Sequence, residues 1–549
     1  MEPSRNWRRF YMAHRVRICI GIVAALVFLW IGYYQPDTGV LDQNFLRRGL
    51  NGDPESLNPH YFSSNQSASV LRDIGEGLLR YDSAGILVEG VAEKWSISED
   101  GLLYEFKLRN DARWSNGDPV LARDFVSAFR ALVTPDLAAR NADNAEHILN
   151  ASSILRGELP PTALGVYADD PKVLKIQLST QTPYFIQLLA HPSMFPIHEV
   201  EILAKSENGF GDIGITNGAY SLAKRVIGSE IILERNPIYW NNAETYFDRV
   251  TYHILQESAE FVRFRAGEID ITENVTSSSF ELAKREYPNE LRIAPLLGVY
   301  YYGFNLTNSI FQGEPNLRRA LSLAIDRKML VSKVTGRGEQ EAYGWVPPGF
   351  HGYESQSIAE SEMGQAEREA LAVRLYRKSG FGPDNPLTFE LRYNTSDVQQ
   401  RIALAIQSMW SNILGADVTI KNEEFRVLLS NIHAQDITEV FRLSWTGDYN
   451  DPQAFLKLFE SSNQSNLTGY SNPKYDELIH LSGKEEDEVE RSKLLQEAEA
   501  LALTDHPVIP LYFYVSKHLI NARITGWEDN ILDIHPSQYL ASEKETEDL

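Results

Sequence analysis

The chain has 549 residues, 43% hydrophobic and 23% charged, which places it among globular proteins and makes it too long for one ordinary core. A formal net charge of −23 repels phosphate backbones and argues against a nucleic-acid partner. The single cysteine, Cys19, excludes intrachain disulfides, four-cysteine zinc sites and iron–sulfur clusters.

The amino terminus departs from this acidic average. Arg5, Arg8, Arg9, Arg15 and Arg17 face only Glu2, and an uncharged run follows from Ile18 to Tyr34. Basic residues ahead of an apolar stretch mark an export signal with the arginines left inside. Trp30, Tyr33 and Tyr34 supply an interfacial belt at the far end, and no small-residue cleavage site follows. Residues 1–36 therefore read as a cytoplasmic basic stub and an uncleaved anchor, tethered to the inner membrane through residues 18–34. A cleaved signal peptide, releasing a soluble periplasmic protein, is the alternative, because the run is short for a span. Cys19 opens the run rather than ending it, so it reads as apolar filler, not as a lipidation site.

Beyond Gln35-Pro36-Asp37 strands and helices alternate in small groups, without repeats or low-complexity linkers. Period-two alternation predicts strands at Tyr104–Arg109, where Tyr104, Phe106 and Leu108 face one way, at Val173–Leu178 and at Glu230–Glu234. Helical spacing appears at 124–130, 316–323, 401–414 and 493–503. The pattern predicts α/β architecture with mixed sheets flanked by helices.

Catalytic apparatus is not legible. Gly209-Phe-Gly211-Asp-Ile-Gly214 matches G-x-G-x-x-G, but it follows a helix-like run and opens no helix, so it reads as a surface loop. No phosphate loop, H-E-x-x-H, nucleophile elbow or calcium loop occurs, and the histidines form no i, i+4 pair. The expectation is a binder, not an enzyme, without cofactor or metal. An enzyme whose site is assembled only by geometry stays as a further reading. One stretch stands out: Thr446-Gly-Asp-Tyr-Asn-Asp-Pro-Gln-Ala-Phe-Leu456, a strand end running into a turn and a short helix. By itself it has a local explanation, in which Asp448 or Asp451 caps a turn.

From about Phe45 nearly to its end, the chain resembles the oligopeptide-binding proteins of bacterial ABC importers, a periplasmic solute-binding family. Matching pieces stand in the family's order: Ser56-Leu-Asn-Pro-His60, Glu76-Gly-Leu-Leu79, Gly90-Val-Ala-Glu-Lys-Trp95 and the run Tyr104 to Val120 with Asp124-Phe125 behind it. Further on come Thr216-Asn-Gly-Ala-Tyr220, Leu233 to Asn242, Gly267-Glu-Ile-Asp270, Tyr393-Asn-Thr-Ser-Asp397 and Gly447-Asp-Tyr-Asn-Asp-Pro452. Each is weak alone; together and in order they are specific.

The resemblance implies a two-lobed clamp with an inserted domain. Lobe I takes residues 37–75, 197–298 and 516–549, the insert 76–196, and lobe II 299–515. A short peptide would lie extended between closing lobes, bound through its main chain, and a monomeric receptor would deliver it to the permease subunits of an importer. A tethered peptide-sensing receptor with no transport role is the alternative. By the same resemblance Asp448 meets the peptide's amino terminus. Ser63, Asn65, Ser444 and Thr446 meet its backbone, and Arg442, His433, Gln399, Phe425 and Trp445 read its carboxylate or line side-chain pockets. His433 has an ordinary surface reading too, whereas a charge at Arg442, mid-strand among apolar residues, calls for a partner. The chain departs from the family pattern at Ile432, where a basic residue is usual, and at Gln399 and Phe425, which replace a histidine and a tryptophan. Two family cysteines correspond to Gly298 and Thr446, so that staple is missing. Ligand length therefore does not carry over.

Overall fold

The computed structural model describes residues 44–202, 212–307, 310–435, 439–447, 449–463, 465–485 and 487–543. The expected anchor at residues 18–34, Gly209 to Gly211 of the glycine loop, and Asp448 lie outside the described residues. Among the described residues no helix is long and apolar enough to cross a membrane.

The alternation read at Tyr104–Arg109 has a direct structural counterpart. In the strand Leu103–Leu108, Tyr104, Phe106 and Leu108 are buried while Glu105 and Lys107 are exposed. This strand is interior to an antiparallel sheet in the order Ala92–Ile97, Leu103–Leu108, Val173–Gln177, Val166–Asp170. Helix Ala122–Leu132, wider than the spacing at 124–130 suggested, buries Phe125, Phe129 and Leu132. Asp124 accepts the Leu121 N–H at 2.9 Å and the Trp114 indole N–H at 3.1 Å, which fastens the Trp114-Ser-Asn-Gly-Asp118 turn to the helix start.

A second sheet joins Phe45–Leu50, Arg249–Ile254, Glu230–Arg235 and Tyr220–Val226, in that order. Its apolar face takes up Val70, Leu71 and Ile74 from helix Asn65–Ile74. The third and largest sheet is mixed, in the order Gln340–Glu341, Val508–Leu519, Leu291–Phe304, Val440–Thr446, Thr388–Asn394, Asp417–Glu423. Strands Thr388–Asn394 and Asp417–Glu423 run parallel, joined by the crossover helix Asp397–Leu414, whose Ile402, Ile406, Met409 and Trp410 are buried. Its first residues, Asp397 to Gln400, carry no apolar period, which is why spacing alone starts it at 401.

Two long antiparallel strands connect separate cores. Leu291 and Leu519, paired at one end, pack with Phe261, Phe264 and Phe280; Gly303 and Val508, paired at the other, lie within the largest sheet's core. The register breaks between Pro295 and Val299 and again between Tyr300 and Tyr301. Pro295 has no N–H to give the ladder, so the pair is weakest where it passes from one core to the other.

Helix Glu488–Asp505 fixes the far side of this core through one buried carboxylate. Glu499 accepts the backbone N–H groups of Trp345 (3.0 Å), Val346 (2.7 Å) and Gln356 (2.9 Å) and the Tyr353 hydroxyl (2.6 Å). Burial pushes its pKa up to about 7 against the pull of those donors.

Candidate functional site

The strand Val440–Thr446 is flanked unequally. Along its whole length it pairs antiparallel with the long strand, from Phe304↔Val440 to Gly298↔Thr446. On its other side Thr388–Asn394 pairs only at Leu391↔Val440 and Arg392↔Phe441; Tyr393 and Asn394 pair only with the far neighbour Asp417–Glu423 before the chain enters helix Asp397–Leu414. Past Phe441 that edge has no paired strand among the described residues, and towards its end Ser444 and Thr446 are exposed. Gly298 and Thr446 face each other in register.

Arg442, Ser444 and Thr446 share one face of this strand by alternation, with Ser444 and Thr446 exposed. Arg442 is 7% exposed. Its guanidinium lies 4.6 Å above the Tyr300 ring and donates from Nη1 to Asn394 Oδ1 at 2.9 Å. Among the described residues no carboxylate pairs with it. The Tyr300 hydroxyl in turn donates to Gln399 Oε1, and the Tyr300 ring stacks on Tyr512 at 4.5 Å. Arg442 and Gln399 thus meet through Tyr300, a residue that sequence reasoning did not single out.

Other expected residues are placed elsewhere. Trp445 points to the opposite face and donates its indole N–H to the Ala454 carbonyl at 2.9 Å. His433 is exposed on helix Phe425–Ala434, where Nδ1 donates to its own helix at the Leu429 carbonyl, 2.7 Å away. Phe425 opens that helix and is 45% exposed.

Ser63 and Asn65 lie at the start of helix Asn65–Ile74, both exposed. The organiser of this corner is Glu55, which the sequence reading passed over. It accepts the Ser63 hydroxyl at 2.9 Å, the Ser64 N–H at 3.0 Å, the Ser67 hydroxyl at 3.0 Å, and the Ser63 N–H and Ser64 hydroxyl. Partial desolvation opposes its charge, but bonds from Ser64 and Ser63 hold the pKa down to about 2. Arg140 Nη1 adds a bond to Ser63 Oγ at 2.8 Å.

The turn after the strand is held on both sides. The Gly447 N–H donates to the Leu297 carbonyl at 3.0 Å, and a Cβ on Gly447 would lie 2.8 Å from Leu297 and 2.9 Å from Phe455. Asp451 takes a two-pronged ion pair from Arg491 at 2.7 and 2.9 Å and also accepts the Gln453 N–H at 2.9 Å. This is the local capping role foreseen for Asp451, and it leaves Asp448 as the other carboxylate of the motif.

Residues 87–466 match the family model described as bacterial extracellular solute-binding proteins, family 5. The chain belongs to this family. Its members are solute-binding proteins rather than enzymes, and the architecture is their two-lobed clamp with an additional inserted domain. This family-5 chain is 38% identical over 496 residues to the periplasmic oligopeptide-binding protein OppA of Salmonella typhimurium, covering 88% of this chain and 90% of that one. It superimposes on the unliganded open form of the murein tripeptide-binding protein MppA with a TM-score of 0.85, at 34% identity, covering 91% of this chain and 98% of that one. On Haemophilus influenzae OppA in complex with the peptide RPPGFSPFR the TM-score is 0.67, at 31% identity and coverages of 91% and 99%.

Proposed function

We propose that this protein binds short peptides extended between its lobes and delivers them to the permease of an ABC-type peptide importer. The observation that carries the reading is the unpaired edge of Val440–Thr446 past Phe441, with Ser444 and Thr446 exposed beside it. A peptide added there receives main-chain hydrogen bonds that every sequence can accept. The oligopeptide-binding relative of Salmonella typhimurium and the peptide-bound Haemophilus structure support the same ligand class.

In this reading lobe I comprises residues 37–75, 197–298 and 516–549, the insert 76–196, and lobe II 299–515. Asp448 faces the peptide ammonium, Ser63 and Asn65 approach its backbone from lobe I, and Arg442 with Gln399 faces its carboxylate end. The break between Pro295 and Val299 supplies the hinge. The protein acts as a monomer in the periplasm, where its relatives are described, held to the inner membrane through residues 18–34. Calorimetry with a mixed set of di- to pentapeptides is the test: saturable heat is expected, and no heat with any of them overturns the reading.

A further inference from the structure

His518, Asp533 and His535 converge outside the site just described. His518 lies at the end of the long strand Val508–Leu519, and the other two in the C-terminal segment that follows Trp527. His518 Nε2 stands 2.8 Å from Asp533 Oδ1, and His535 Nε2 stands 3.2 Å from the same oxygen. Each of the three residues offers a ligand atom within 4.8 Å of the others. Their order in sequence hides this, since fifteen positions separate His518 from Asp533.

The surroundings orient each donor. His518 Nδ1 is 2.9 Å from the Thr272 carbonyl, which can only accept, so Nδ1 carries a hydrogen and Nε2 is the nitrogen turned to Asp533. A backbone acceptor on the far nitrogen is the arrangement that fixes metal-binding imidazoles. The His535 ring stacks on Trp527 with centroids 3.6 Å apart and planes 20° from parallel. Asp533 has a left-handed backbone, φ 55°, held by Asn530 Oδ1, which accepts the N–H groups of Leu532 at 3.2 Å and Ile534 at 3.3 Å. Strain of this kind persists where the surroundings over-determine it. The side chains of His518 and His535 are 8% and 5% exposed, while that of Asp533 is 28% exposed and leaves an entry path.

We infer that His518 Nε2, His535 Nε2 and the Asp533 carboxylate form a binding site for a divalent transition metal of the zinc type. Two imidazoles and one carboxylate are a donor set that zinc takes, with bonds of about 2.0–2.2 Å and a fourth position left to water. Neighbouring donors in such a shell are about 3.3 Å apart; here the two imidazoles stand 2.8 and 3.2 Å from Asp533 Oδ1 and all three donors lie within 4.8 Å of one another. A bound ion would also act on the hinge. Ile531, two residues before Asp533, accepts the Leu297 N–H at 3.0 Å inside the register break of one long strand, so the ion would tie the C-terminal segment to the other long strand as well, at His518. The competing occupant is a proton shared between His518 and Asp533.

The test uses the untagged full chain, stripped with a chelator and titrated with zinc alone by calorimetry, then with cobalt(II) by visible absorption. One zinc per chain and tetrahedral cobalt bands are expected. His535→Ala and Asp533→Asn, each checked by circular dichroism for an intact fold, should weaken uptake by at least about tenfold. The inference is overturned if the folded native chain takes up no zinc. It is equally overturned if uptake survives both substitutions, or if His518→Gln removes a pH-dependent stability while the native chain binds no metal.

Discussion

The rings of Tyr184 and Tyr449 lie parallel, 4.2 Å between centroids and 7° between planes. Tyr184 stands just ahead of the short helix Phe185–Leu188, while Tyr449 follows the position of Asp448, so the stack braces the motif turn from a segment far away in sequence. Lys457 Nζ lies 5.0 Å above the Tyr449 ring on this turn. Replacing Tyr184 by Ala should remove the brace and weaken peptide binding by about 1 kcal/mol, mostly through faster release. Stopped-flow dissociation of a fluorescent peptide measures it, and an unchanged off-rate separates the stack from binding.

Asp448 is the motif carboxylate that remains once Asp451 is engaged by Arg491. If it meets the peptide ammonium, Asp448→Asn should cost about 2–5 kcal/mol of binding. N-acetylated peptides should lose affinity on the native protein by a comparable factor and lose little more on the variant. Acetylation without effect would return Asp448 to a turn residue.

Arg442 makes the complementary prediction at the other end. Its guanidinium is buried beside Tyr300 and Asn394 without a carboxylate among the described residues. Arg442→Gln should cost about 1.5–3 kcal/mol for free-acid peptides and much less for C-terminal amides. Calorimetry on matched acid and amide pairs decides it; equal losses would assign Arg442 to the core alone.

Glu260 governs a pH dependence. Fully buried, it accepts the N–H groups of Glu273 and Asn274 at 2.8 and 3.2 Å on Oε2, while Oε1 finds no partner among the described residues. Desolvation first, with the nearby Glu273 charge adding to it, pushes its pKa up to about 8, from 4.5. The folded state then holds the proton more tightly than the unfolded state. Stability from this group is complete below pH 4.5 and is lost as pH rises through 8. Glu260→Gln should flatten thermal stability across that window and raise it, on the order of 2 kcal/mol, at the alkaline end. Melting curves from pH 5 to 9 test this, and parallel profiles for both proteins would refute it.

Glu499 should respond differently, because four donors converge on it. Glu499→Ala strands three backbone N–H groups and one hydroxyl in a buried site and should cost at least about 3 kcal/mol. Urea denaturation reads the loss, and a midpoint within error of the native value would contradict the role assigned.

Local pattern alone made much of the frame legible. Alternation at Tyr104, Phe106 and Leu108 located a strand and its buried face, since a strand's period of two follows from backbone geometry wherever it folds. Helical spacing located Asp397–Leu414 apart from its polar first turn, and the ordered motifs identified the family. What depends on contacts between distant segments was not legible. The unpaired edge beyond Phe441 exists because the neighbouring strand leaves the pairing after Arg392, and Arg442 meets Gln399 only through Tyr300, a third strand's side chain. Glu55 became an organiser because a turn folds Ser63 and Ser64 back over it. His518 and His535 look like scattered histidines until a left-handed residue aims Asp533 at both. Periodicity is written residue by residue along the chain, whereas convergence of charges, donors and free edges is decided by packing between segments that the sequence keeps apart.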